Sequence, residues 1–225
     1  MNLSFVLDIQ NAQFGTEDNV VLSNVNFSLA QGEMCYIIGP SGSGKSTFLK
    51  TLYASIPLMS GTVNMVDQDL GTLTRKSIPD YRRKVGMVFQ EFHLFYNWSV
   101  QRNLDYILKA TEWKHADERK NRVDEVLSEV GLIKSIDKPA FKLSGGEQQR
   151  LVIARSILNK PSIIIADEPT GNLDPKSSEA IIELLYRVAQ ENKMAILIAT
   201  HDYHLIEKYQ ARIFECNDGR LLEKH

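Results

Sequence analysis

Apolar and polar residues alternate from residue 3 to 10 and again from 20 to 29, the period-two pattern of half-buried strands. The run "MCYIIG" that follows is apolar until glycine breaks it, which predicts a short strand buried on both faces and opening straight into a loop. "GTVNMV" and "VGMVFQ" read as two further strands. From about Glu91 to Asn159 the period lengthens. "NLDYILKA", "RVDEVLSEVGL" and "EQQRLVIARSIL" all carry apolar residues three and four apart, so this stretch reads as a helical insertion. After Pro161 the strand reading returns with "SIIIADE". A helix over 177–190, a strand over 195–200, a short helix near 203–209 and a hairpin through "CNDGR" complete the chain. Apolar strands alternating with helices imply a parallel sheet covered on both faces.

Composition changes this picture little. The chain has 225 residues, 43% hydrophobic and 24% charged, with a formal net charge of −2. That length suits one domain with an insertion, and the near-neutral balance does not point to a nucleic-acid binder. The longest apolar runs fall far short of the roughly 20 residues that a membrane span needs, so no span and no signal peptide are expected. Cys35 and Cys216 lack metal-type spacing and read as buried structural thiols in a reducing cytoplasm.

Candidate chemistry changes it more. Gly39, Gly44, Lys45 and Ser46 fit G-x-x-x-x-G-K-[ST] in the strand-to-helix context that this phosphate-binding loop requires. Glycines let backbone N–H groups close around phosphate oxygens, the helix start adds a favourable dipole, and Lys45 places a cation on the β- and γ-phosphates. Ser46 is the expected Mg²⁺ ligand. Asp167 and Glu168 end the apolar run "SIIIADE", where ligands of open α/β sheets bind. Asp167 matches the Walker B residue that orients Mg²⁺, and Glu168 is placed to polarise the attacking water. His201 follows another apolar strand and is expected to reach a γ-phosphate, whereas His93, His115, His204 and His225 have no such placement. In "KLSGGEQQR", Ser144 and Glu147 form a capping box, which leaves Gly145 and Gly146 unexplained unless something approaches closely.

"LSGGEQQR", the phosphate loop, "IIIADE", "GNLD" and His201 together resemble the ATP-binding subunits of ABC transporters across essentially the whole chain. The resemblance implies one ATP-binding domain over 1–225. Residues 1–90 and 160–225 would form the nucleotide-binding core, mainly a parallel sheet with an antiparallel β subdomain, and 91–159 a helical subdomain bearing the signature motif. It implies ATP and Mg²⁺ as ligands, with Gly39, Pro40, Ser41, Gly42, Ser43, Gly44, Lys45, Ser46 and Thr47 on the phosphates. It implies a head-to-tail homodimer in which Ser144, Gly145 and Gly146 of one copy complete the ATP site of the other. Gln90 looks like the glutamine that senses Mg²⁺ and the membrane partner, and Leu173 with Asp174 like the loop that couples the two sites. Phe14 falls where the family stacks an aromatic ring on adenine.

"IPDYRRKVGMVFQEFHLF", "NLDYILKAT" and "ATHDYHLIEKY" resemble, more narrowly, the FtsE family of cell-division ATP-binding proteins. That narrower resemblance implies an FtsX-like membrane permease as partner, a position on the cytoplasmic face of the bacterial cell membrane, and ATP-driven control of cell-wall hydrolases. The stretch "LFYNWSV" departs from the family's usual pattern. Its Phe95, Tyr96 and Trp98 either grip the partner's cytoplasmic helix or pack the helical insertion. The alternative is a lipoprotein-release or macrolide-efflux ATPase, since those families share "GPSGSGKST" and "ADEPTGNLD". ATPases of this kind that act on DNA or ribosomes generally carry coiled coils or tandem cassettes, which this chain lacks. A scaffold that binds ATP but barely hydrolyses it is a further reading, against which an intact Glu168 argues.

Overall fold

The computed structural model describes residues 5–16 and 18–224. In chain order the elements are β1 (Phe5–Thr16), β2 (Asn19–Ala30), β3 (Met34–Ile38), α1 (Lys45–Leu52), β4 (Ser60–Met65), β5 (Gln68–Asp69), α2 (Ile78–Arg83), β6 (Val85–Val88) and α3 (Val100–Ala110). There follow α4 (Ala116–Glu129), α5 (Gly145–Ile157), β7 (Ile163–Asp167), α6 (Pro175–Asn192), β8 (Ala195–Ala199), α7 (Tyr203–Lys208), β9 (Arg212–Asn217) and β10 (Arg220–Lys224). Residues 3 and 4, read as the start of the first strand, lie outside the described residues, as does His225.

Each strand and helix expected from the pattern is present, with boundaries shifted by a few residues. The first strand runs six residues further than its alternation suggested. Its register with β2 slips between Ile9 and Ala12, where Asn11 takes a left-handed φ of 49°. A bulge of this kind resets which side chains face the core, so a strict period of two is lost although the strand continues. Neither α2 nor β5 was anticipated, because six and two residues are too few to show a period. The helices α3, α4 and α5 fall within the stretch read as a helical insertion.

Two sheets form. One is antiparallel with strand order β2-β1-β4-β5; the other has the order β10-β9-β3-β8-β7-β6, parallel throughout except for β10. Alternate residues of the parallel strands enter two different cores. Cys35, Ile37, Ile163, Ile165, Leu197 and Ala199 face α1 and the antiparallel sheet. Tyr36, Ile38, Ile164, Ala166, Ile196 and Ile198 face the helices α3 to α7. This explains the unbroken apolar runs: with both faces covered, every position is buried, and each isoleucine contributes about 1.5–3 kcal/mol. Cys35 and Cys216 are free and buried, and burial pushes both thiols up, Cys216 to about 12.

Register decides what meets at the sheet's edge. Ile37 pairs with Ala199, and Ala199 pairs with Asp167. Strands β3, β7 and β8 therefore finish side by side. The loop after β3, the acidic pair closing β7 and the segment after β8 emerge at one carboxyl edge, where open α/β sheets bind their ligands.

Candidate active site

The loop between β3 and α1 turns at Gly39, whose φ is 142° and where a Cβ would lie 2.3 Å from the Cys216 carbonyl oxygen. No side chain fits there, so glycine is required. The loop closes on the Lys45 ammonium. Lys45 is 8% exposed, and its Nζ donates to the carbonyls of Gly39 at 2.8 Å and Pro40 at 3.0 Å. A cation is thereby held inside a loop that leads into a helix start, the arrangement that anions favour.

Ser46, one residue further on α1, donates its hydroxyl to Asp167 Oδ1 at 3.1 Å. Burial is the main reason that the Asp167 carboxyl sits above its usual range, and the Ser46 hydrogen bond and neighbouring lysines only partly oppose it. A desolvated carboxylate beside a hydroxyl is a hard oxygen pair, of the kind that Mg²⁺ takes from protein while keeping its other positions for phosphates and water. Among the described residues no group of three or more His, Cys, Asp or Glu side chains forms a metal cage. The hydroxyl and carboxylate oxygens of Ser46 and Asp167 are a donor set that fits a Mg²⁺ arriving with a nucleotide.

Glu168 has a left-handed backbone with φ 47°. For a non-glycine residue that conformation costs about 1–3 kcal/mol and concentrates at functional sites. Its N–H donates to the Ala199 carbonyl at 2.9 Å, which ties it to the end of β8. Its Oε2 lies 2.9 Å from His201 Nδ1, with the Glu168 side chain 14% exposed and that of His201 72% exposed. A cavity of about 540 Å³ opens here. Gly39, Pro40, Ser41, Gly42, Gly44, Lys45, Ser46 and Thr47 line one side, and Val21, Gln90, Glu168 and His201 complete it. Ser43 lines a neighbouring cavity instead.

Ser144 caps α5 in a full capping box: its hydroxyl accepts from the Glu147 N–H at 3.3 Å, and the Glu147 carboxylate accepts from the Ser144 N–H at 2.8 Å. The backbone hydrogen bond from Ser144 is the leading reason that Glu147 sits below its usual range. Ser144 and Gly145 are exposed and, with Gly146, line no part of the phosphate-loop cavity of their own chain. Asp174 is also absent from it. That carboxylate caps α6, accepting from the Ser177 hydroxyl at 2.6 Å and the Ser177 N–H at 3.1 Å, and these bonds hold it below the usual range.

Phe14 requires a correction. The expectation was a ring facing adenine, but Phe14 is fully buried and packs edge-on against Phe48 of α1, with ring centroids 4.9 Å apart. The slip in β1 register turns it inward, and Val21 of β2 is the apolar side chain on the cavity wall. Phe14→Leu is expected to lower stability by about 1 kcal/mol and to leave ATP affinity nearly unchanged. Calorimetric unfolding and nucleotide titration check this; a large loss of affinity at unaltered stability would restore the stacking role.

Two residues were missed. Asn172 Nδ2 donates to the Gln90 carbonyl at 3.0 Å, and Gln149 Nε2 donates to the Pro169 carbonyl at 2.7 Å. Both sit inside motifs already singled out. Their targets lie 82 and 20 residues away, so sequence spacing gives no hint of them.

A family model described as ABC transporter matches residues 22–171. The cell division ATP-binding protein FtsE of Mycobacterium tuberculosis is 38% identical over 98% of this chain and 95% of its own length. The protein of that name from Streptococcus pneumoniae is 40% identical over 89% of this chain and 86% of its own. Among solved structures, a dimeric ATP-binding cassette in a post-hydrolysis state with ADP and phosphate matches with a TM-score of 0.82 and 31% identity, over 97% of both chains.

Proposed function

The chain belongs to the ABC transporter family as one of its ATP-binding and ATP-hydrolysing subunits, and on that footing we propose that it is the FtsE-type subunit of a cell-division complex. Its membrane partner would be an FtsX-like permease. The subunit would sit on the cytoplasmic face of the membrane; no helix among the described residues is long and apolar enough to cross one.

The observation that carries the catalytic reading is a single cavity with Lys45 and Ser46 on one side and the paired Glu168 and His201 on the other. Lys45 would exchange its two carbonyl partners for phosphate oxygens, a charge-assisted and stronger contact. Ser46 and Asp167 would hold Mg²⁺, which when bound neutralises charge building on the β- and γ-phosphates. Glu168 would accept a proton from the attacking water as general base, and His201, fixed by Glu168, would orient toward the γ-phosphate. Gln90, on the cavity wall and anchored through its carbonyl by Asn172, would report the state of that site.

The glycines of the signature support a second copy. A Cβ at Gly145 would meet only the tip of Leu173 at 3.3 Å, and one at Gly146 only the Ser177 side chain, Oγ at 3.5 Å and Cβ at 3.7 Å. Neither glycine has a positive φ. Among the described residues nothing demands glycine at either place, which supports a demand from outside, and the phosphates of a facing copy's ATP fit it. Leu173 and Asp174 lie beside this helix start and would pass the state of one site to the other.

A groove of about 530 Å³ between α2, β6, α3 and α5 suits the permease. Met87, Phe89 and Ile107 give it an apolar floor, and Arg82 and Arg155 are among its charged residues. Phe95 and Trp98 do not line it: they stack on each other at 4.2 Å beside Tyr106, with Arg102 over the Trp98 ring. Ile107→Glu is expected to leave ATP turnover of the isolated subunit near normal and to abolish its co-purification with the permease. Capture of the permease by the variant at the parental level would sink the groove assignment. Failure of the parental protein to capture any FtsX-like permease would sink the cell-division reading.

A further inference from the structure

Gln149 stands about one turn into α5, is 1% exposed, and donates from Nε2 to the Pro169 carbonyl at 2.7 Å. A carbonyl only accepts, so the amide nitrogen must face it, which settles the orientation of the side chain. The other amide atom, Oε1, is buried with no hydrogen-bond partner among the described residues. A buried amide satisfied on one side carries a desolvation cost that leucine or methionine would avoid at similar volume. The core therefore gives no reason for glutamine here.

The turn that it holds gives one. Pro169 follows Glu168, the residue in the left-handed conformation. The Gly171 N–H closes the turn on the Glu168 carbonyl at 3.1 Å, and the Glu168 N–H is tied to Ala199. A strained conformation persists only when its surroundings over-determine it. Gln149 supplies the constraint from the helical side, where no backbone donor among the described residues does so. Without it the Pro169 carbonyl loses its partner and the turn gains freedom to relax toward an ordinary φ, which would swing the Glu168 carboxylate.

We infer that Gln149 is a positioning residue for hydrolysis, holding the turn so that the Glu168 carboxylate stays aimed into the phosphate cavity. It touches no substrate. The inference rests on the reading of Glu168 as general base. Gln149→Met removes the donor while keeping an unbranched side chain of like size, and Gln149→Leu repeats the test with a different shape. Steady-state ATPase assays should show kcat lowered about tenfold in both, with little change in KM for ATP or in affinity for a non-hydrolysable analogue. Thermal midpoints should stay within a few degrees of the parent. In a Glu168→Gln background, Gln149→Met should cause no further fall in the residual rate, because the group that it positions no longer acts.

Three results would overturn the inference. They are a wild-type kcat in Gln149→Met, a full tenfold loss added on top of Glu168→Gln, and loss of the folded state in both Gln149 variants, which would assign the residue to packing alone. Normal turnover by Glu168→Gln alone would remove the general-base premise, whereas slow turnover there with a normal Gln149→Met would remove only the positioning role.

Discussion

Glu168→Gln is expected to turn over ATP about 10²- to 10⁴-fold more slowly than the parent, a barrier raised by about 3 to 5 kcal/mol. The substitution preserves size and hydrogen-bonding reach to His201 but removes the basicity that the water needs. Binding should survive, because Lys45, Ser46 and Asp167 are untouched. With hydrolysis blocked, nucleotide stabilises whichever assembly holds it best, so the variant should accumulate as an ATP-dependent dimer. Adding Gly145→Ala should return it to monomer. A Cβ there would press only on the movable end of Leu173 at 3.3 Å, and alanine improves helix propensity, so the monomer should lose little stability, while the new methyl obstructs the facing phosphate. Size-exclusion chromatography with light scattering, with and without ATP, decides the matter. A Glu168→Gln protein that stays monomeric under saturating ATP would leave the glycine pair without a role.

Lys45→Ala should abolish saturable ATP binding at micromolar nucleotide. Among the described residues the ammonium is the one side-chain cation drawn into the loop, and a hydrogen bond from a charged donor is worth about 1.5–3 kcal/mol even before its electrostatic reach over two phosphates is counted. The fold should persist, since α1 remains anchored by fully buried Phe48, Leu49 and Leu52. Isothermal titration checks the affinity and far-ultraviolet circular dichroism the fold. Unchanged affinity would sink the phosphate-loop assignment.

The two variants separate the roles that the cavity brings together. One should bind without turnover and the other should not bind. Intermediate behaviour in both would mean that loop and turn act as one unit through Ser46 and Asp167, whose 3.1 Å contact joins them.

Much of this molecule is legible in its sequence because the relevant physics is local. The phosphate loop is contiguous, and the glycine that its turn requires, the lysine and the helix start lie within a few residues of one another. Strands buried on both faces read as unbroken apolar runs, and the capping box of α5 spans four residues. The parallel α/β class and the candidacy of Lys45, Ser46, Asp167, Glu168 and His201 follow from such patterns, whereas the role of the signature was implied only by the resemblance to ABC transporter subunits. The tertiary structure decided the rest. The register of β3, β8 and β7 sets Glu168 against His201 across 33 residues of chain. The bulge at Asn11 turned Phe14 into the core and left Val21 on the wall, an outcome invisible to a period-two count because one inserted residue inverts every later side chain. Gln149 acquired its partner only when α5 packed beside the turn after β7. Sequence patterns record what each residue needs from its neighbours along the chain, whereas partners across the fold are chosen by packing and strand register, which no local spacing encodes.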